Sequence, residues 1–188
     1  MVWGNELDNI SQRKNEESIR VMDTPLVLTY IGADHLPLKM RASKIKKILA
    51  EHKEMDVNVL KRLPRAIASP LAIFPSETES GKYLMVLDLA APNKGNVVLP
   101  IELNGSDGTN YEVNVALSAY TKSDEKTLVP KTEWYTNHFE NKTGKNITPL
   151  YLNEKKLLAG ITRTGSNCLI LYTTQATSLR IVYQTKLI

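Results

Sequence analysis

The spacing of apolar residues changes period part-way along this chain, and that change restricts the fold more than any other feature. Ile45, Ile48, Leu49 and His52 stand at i, i+3, i+4 and i+7, one face of a 3.6-residue repeat. Lys44, Lys46, Lys47 and Glu51 fill the rest of that circumference. Ser43 reads as the N-cap of a helix running to about His52, and Asp56 as the cap of a second helix turning Val57, Leu60 and Leu63 inward. Pro64 falls in a helical turn or at its end, and Ser69-Pro70 closes the helical section. Beyond it the apolar residues come in short runs: Leu71 to Phe74, Tyr83 to Leu89, Asn96 to Leu103 and Glu112 to Lys122. The connectors Glu79-Ser80-Gly81-Lys82, Pro92-Asn93-Lys94-Gly95 and Asn104-Gly105-Ser106-Asp107-Gly108 are turn-forming. Turns this short join antiparallel neighbours, because a parallel crossover needs a dozen residues or more. The expected class is α+β, with N-terminal helices packed on an antiparallel sheet.

The flanks are less regular. Residues 1 to about 20 are polar and predict a linker or a loosely attached helix, anchored by Trp3, Leu7 and Ile10. Asp23 or Thr24 can cap a short helix beginning at Pro25, and Gly32 can end it. Leu36-Pro37-Leu38-Lys39-Met40 predicts a short edge strand, where proline is tolerated. A helix near Lys131 to Asn141 carries Trp134 and Phe139, and Leu169 to Thr173 and Leu179 to Gln184 read as late strands. At 188 residues, with 42% hydrophobic and 23% charged side chains, the expectation is one domain over 21–188, with 160–188 a strand-rich extension. No apolar run approaches the roughly 20 residues that cross a bilayer. The first residues show no basic stretch followed by an apolar one. The expectation is a cytoplasmic protein, or a piece of a longer polypeptide whose address lies elsewhere, with no membrane partner.

Several chemistries have nothing to stand on. The lone Cys168 cannot form an internal disulfide, and its apolar run, Cys168 to Tyr172, suits a buried thiol better than a nucleophile. His35, His52 and His138 are scattered with no partner at metal-ligand spacing, so no metal is expected. No cofactor is expected either: neither a GxxxxGK[ST] nor a GxGxxG loop occurs, and a Gly-x-Ser-x-Gly elbow is also missing.

Charge is unevenly spread. Between Lys39 and Arg65 nine basic residues meet only Glu51, Glu54 and Asp56, a local net of +6 in a chain whose total is +4. That segment is either a solvated helix surface or a face for phosphates or an acidic partner. His52, on a face with three aliphatic residues, is either a core histidine satisfied by one hydrogen bond or a general acid/base. In Val113 to Tyr120, alternation puts Asn114, Ala116, Ser118 and Tyr120 on one face. Ser118 and Tyr120 are then either part of a half-exposed sheet face or two hydroxyls able to donate to one ligand. Tyr151 and Trp134-Tyr135 are most simply core aromatics.

Taken in order, these segments resemble a known family. Val21-Met22-Asp23-Thr24-Pro25, then Ser43-Lys44-Ile45 through His52, Val59-Leu60 through Leu63-Pro64, and Ser69-Pro70-Leu71-Ala72-Ile73-Phe74-Pro75-Ser76 are similar to the phage MuF C-terminal domain. So are Ser118-Ala119-Tyr120, the helix with Trp134, and Leu150-Tyr151-Leu152-Asn153-Glu154-Lys155, so that the likeness covers about residues 21–158. After about residue 160 the chain departs from the pattern.

The resemblance implies a fold shared with barnase, EndoU, colicin-type tRNases and RelE. It also implies a metal-independent endoribonuclease of the phage or mobile-element toxin type, cleaving RNA by 2′-OH transesterification. The family's helix histidine falls on His52 and its serine–x–tyrosine strand on Ser118 and Tyr120. His52 would take one proton-transfer role, and Ser118 and Tyr120 would hold phosphate oxygens. Arg41, Lys44 and Lys47 would bind the RNA backbone. Tyr120, His138 and Tyr151 are the candidates for the second proton-transfer group. The implied partners are RNA, tRNA among them, and an immunity protein. Two other readings stand beside this one: a non-catalytic nucleic-acid-binding or assembly module of a phage or mobile-element polyprotein, and an enzyme acting on a nucleotide or a protein side chain.

Overall fold

In the computed structural model, which describes residues 2–76, 79–91, 95–108, 112–121 and 150–153, the chain opens with helix α1 (Val2–Asp8) and a 3-10 turn (Ile10–Gln12). Trp3, Leu7 and Ile10, at i, i+4 and i+7, are all buried. The Trp3 indole N–H donates to the Leu60 carbonyl at 2.8 Å, which supplies the polar partner a buried indole needs. Ion pairs Arg13–Glu6 and Lys61–Asp8, each 2.6 Å, hold the same segment. Strand β1 (Ser18–Asp23) follows, with Ile19 and Val21 buried and Arg20 exposed. The first twenty residues thus hold a docked helix and the start of a strand.

Helix α2 (Leu26–Thr29) is a single turn with Pro25 at its N-cap. The Thr24 hydroxyl does not cap it; it donates to the Leu36 carbonyl instead. Then come β2 (Pro37–Arg41), α3 (Ala42–Glu51), α4 (Val57–Lys61) and α5 (Leu63–Ile67). The remaining strands are β3 (Ala72–Pro75), β4 (Lys82–Ala90), β5 (Asn96–Ser106), β6 (Glu112–Ala116), β7 (Tyr120–Thr121) and β8 (Tyr151–Leu152). Among the described residues they form one sheet in the order β1-β2-β6-β5-β4-β3-β8, with β7 also on β5. The class is α+β.

The β3–β4–β5–β6 run is antiparallel throughout, as its short turns predict. Two expectations about β2 fail. It is not an edge strand, since β1 pairs on one side and β6 on the other. Its pairing with β6 is parallel, Leu38 opposite Asn114 and Lys39 opposite Val115, so the sheet is mixed. Connector length dictates direction only for strands joined by a short turn. Everything from α3 to β5 lies between β2 and β6, enough chain for a parallel crossover. Pro37 sits at the first residue of β2, where a missing N–H does least harm.

Helix α3 begins at Ala42, directly out of β2, and Ser43 is not its cap. The N–H groups left unpaired at a helix start are satisfied here by backbone: Ala42 donates to Glu17 (2.8 Å) and Ser43 to Asn15 (3.1 Å). Asp56 does cap α4, accepting from the Val59 N–H at 2.8 Å. Pro64 lies in the first turn of α5, where its fixed φ suits a helix. Ile45 and Ile48 of α3, Leu60, Leu63 and Ile67 pack with Ile73, Met85, Leu87, Val97, Leu99 and Ile101 in the main core. On the other sheet face Leu71, Ala72, Phe74 and Val86 form a second cluster. No helix among the described residues is long and apolar enough to cross a membrane. The helix expected near 131–141 with Trp134, His138 and Phe139, the late strands 169–173 and 179–184, Cys168 and the 160–188 extension lie outside the described residues.

The β2–β6 pair is pinned by a buried amide. Asn114 is fully buried. Its Oδ1 accepts from the Asn104 N–H at 2.9 Å, and its Nδ2 donates to Thr24 Oγ1 (2.7 Å) and to the carbonyls of Asp34 (3.2 Å) and Leu36 (3.3 Å). Asn104 adds two bonds of its own, accepting from the Asp34 N–H and donating to the Gly32 carbonyl. It does so from a left-handed backbone, φ 51°, at a β5 bulge between Glu102 and Gly105. Replacing Asn114 by Leu keeps the branched skeleton and deletes these bonds. We expect the unfolding free energy to fall by roughly 2–4 kcal/mol, because each buried group left unpaired costs about 1–3 kcal/mol. Denaturant titration should show a lower midpoint at unchanged slope; an unchanged midpoint would show that the network contributes nothing.

Candidate active site

His52 is the C-cap of α3 rather than a residue of the helix proper, with φ −113° and ψ 79°. Its N–H still donates to the Ile48 carbonyl at 2.8 Å, and its own carbonyl accepts from the Met55 N–H at 2.7 Å. Met55 is fully buried and Asp56 caps the next helix. The turn from His52 to Asp56 is therefore tied at both ends, and the half-buried imidazole stands on a fixed base.

The second half of the site comes from the sheet. The expected strand from Glu112 to Lys122 is broken after Ala116. Ala116 lies opposite Ile101 of β5, yet Tyr120 lies opposite Val98, so four steps along one strand match three on the other. The physical cause sits in β5. The Pro100 carbonyl accepts from the Leu117 N–H at 2.9 Å, but on that edge its ring nitrogen has no hydrogen to return. A one-residue slip turns alternate side chains to the opposite face. The alternation placing Ser118 and Tyr120 on one face with Ala116 consequently stops at Ala116, and Ser118 lies half-buried in the break. Thr121, opposite Val97, faces the helices.

These two pieces meet. The His52 and Tyr120 ring centroids are 6.4 Å apart at a tilt of 32°. His52 Nδ1 lies 3.7 Å from Glu54 Oε1, and the Thr121 hydroxyl donates to that same oxygen at 3.2 Å. Glu54 and Thr121 were not singled out from the sequence. Glu54 counted only as an opposing charge, although a carboxylate two residues from a candidate acid/base was a usable signal. Thr121 offered none, because its partner lies 67 residues away. Burial pushes the Tyr120 phenol above its ordinary ionisation range.

Tyr151, half-buried in β8, is separated from β7 by β5, β4 and β3. Those four strand spacings amount to roughly 19 Å. His138 is outside the described residues. Arg41 is exposed but committed: its Nε donates to the Asp107 carbonyl at 2.9 Å. Lys47 makes an exposed i,i+4 pair with Glu51 at 3.7 Å, a contact worth little and easily exchanged. Lys44 is exposed and has no charged partner among the described residues. Nor do three or more His, Cys, Asp or Glu side chains converge among them.

The raised Tyr120 value sets a pH dependence. A phenol whose ionisation is raised by folding contributes stability that is intact below the ordinary tyrosine range, near 10, and lost as pH rises through the raised value. Spectrophotometric titration should therefore show one phenol ionising later than an ordinary tyrosine. Tyr120→Phe should abolish that step and flatten the alkaline fall in stability; a titration unchanged in this variant would place the late phenol elsewhere.

The family model of the phage MuF C-terminal domain matches residues 44–158, more than half of the 188-residue chain. No curated protein and no solved structure matches the chain. The matched span begins in the first turn of α3 and contains His52, Glu54, Tyr120 and Thr121. The chain belongs to the phage MuF C-terminal domain family.

Proposed function

We propose that this domain is a metal-independent endoribonuclease of the phage or mobile-element toxin type, built on a barnase–EndoU–RelE-like fold. The observation that carries the reading is the 6.4 Å approach of the His52 and Tyr120 rings on two separately anchored elements. His52 takes the proton of a ribose 2′-OH, whose oxygen attacks the adjacent phosphorus. The P–O5′ bond breaks, Tyr120 gives its phenolic proton to the leaving oxygen, and a 2′,3′-cyclic phosphate remains. Among the candidates for the second proton-transfer group that are described, Tyr120 stands beside His52, and its phenol, which ionises only above the ordinary tyrosine range near 10, holds a proton to give at neutral pH. Ser118 and Lys44 would hold phosphate oxygens. The basic segment from Lys39 to Arg65 would supply salt-dependent attraction for RNA. RNA, tRNA included, is the proposed substrate, an immunity protein the proposed inhibitor, and a larger phage or mobile-element protein the proposed carrier.

The purified domain should cleave mixed cellular RNA in EDTA, leave cyclic phosphate ends and slow as salt rises. His52→Ala should keep the melting temperature and lose roughly 10²–10⁴-fold in rate. Inactivity on all RNA, together with harmless expression inside cells, would sink the enzyme reading. RNA binding without cleavage would assign the domain to the non-catalytic class.

A further inference from the structure

We infer that Glu54 is a positioning residue for His52: its carboxylate, steadied by the Thr121 hydroxyl, holds the imidazole with its hydrogen on Nδ1 and leaves Nε2 as the base atom. This rests on the proton-transfer reading of His52. Both residues stand on the turn whose ends are fixed by the Ile48 carbonyl, buried Met55 and the Asp56 cap. Their mutual placement therefore does not depend on a free loop. Nδ1, and not Nε2, is the ring atom facing Oε1. The ring nitrogen that carries the hydrogen is set by the partner of that nitrogen.

At 3.7 Å the contact is longer than a hydrogen bond, whose heavy atoms lie about 2.7–3.2 Å apart. Contacts of this kind in a free enzyme commonly shorten when substrate binds. The Thr121 bond matters because it restrains the carboxylate: Oε1 accepts from Oγ1 at 3.2 Å, so Glu54 is held towards the ring and does not swing into solvent. Glu54 is also mostly shielded, its side chain 20% exposed, and a charge–dipole contact strengthens where water is excluded. The arrangement joins a helix end to a strand 67 residues later, which a purely local surface ion pair would not do.

Nitrogen-15 NMR of the His52 ring tests this without any RNA. The spectrum of the whole chain, taken where the ring is neutral, should show the Nδ1–H tautomer. Glu54→Ala and Thr121→Val should both shift it towards Nε2–H, whereas Thr121→Ser, which keeps the hydroxyl, should preserve the wild-type tautomer. In the cleavage assay Glu54→Ala should lower kcat by about 10–100-fold at unchanged KM, the mark of misorientation rather than lost binding. A tautomer identical in wild type, Glu54→Ala and Thr121→Val overturns the inference even if the domain cuts RNA. The expected tautomer shifts in a domain that cuts no RNA would instead overturn the ribonuclease reading and leave the positioning role standing.

Discussion

The amide of Asn114 is buried where three irregular pieces of backbone meet, and the placement of much else follows from it. Between Gly32 and Leu36 the chain is neither helix nor strand, so several of its carbonyl and N–H groups take partners from outside the segment. Asn114 and Asn104 provide them. Once this segment is fixed, β2 must start beside β6, and the two run parallel. Because α3 continues out of β2 with no intervening loop, the position of β2 also sets where α3 ends. That end is His52. The bulge that lets Asn104 reach inward has its own requirement: a Cβ on Gly105 would come within 2.9 Å of the Glu102 side chain.

Both halves of the candidate site arise where regular structure stops. His52 caps a helix, and Tyr120 and Thr121 follow a break in a strand ladder. Such places can aim side chains in directions that continuous helix or strand does not offer. They also need support, and here it comes from buried Met55, the Asp56 cap and the renewed pairing of β7 with β5. Rigid flanks and an irregular centre suit chemistry that depends on orientation.

The basic segment is less available than its charge count implies. Lys39 pairs with buried Asp107, Arg41 bonds the Asp107 carbonyl, and Lys46 bonds the Arg13 carbonyl. Lys47 and Lys61 meet Glu51 and Asp8. Lys44, Lys53, Arg62 and Arg65 are exposed and make no ion pair among the described residues. Long-range attraction for a polyanion depends on the summed field and survives such pairing. Direct contact with an anion is open to these four, and to Lys47 once its exposed pair is exchanged.

Local physics was legible in the sequence. The 3.6-residue stripe of Ile45, Ile48 and Leu49, the Asp56 cap and the turn-linked strands from β3 to β6 all depend on residues a few positions apart, and each has its place in the structure. So did the class, α+β. What only the tertiary structure decided concerns partners far along the chain. Ser43 has the chemistry of a cap, but carbonyls of Asn15 and Glu17 reach the helix start first. Leu36 to Met40 has the composition of an edge, but Asn114 draws β6 against it. Ser118 and Tyr120 alternate correctly in sequence, until Pro100 on the neighbouring strand breaks their register. Glu54 and Thr121 meet only because β7 closes against the turn after α3. Periodicity records which face of an element is apolar; it carries no information about which distant group will satisfy a given hydrogen bond, and the candidate site is made of such bonds.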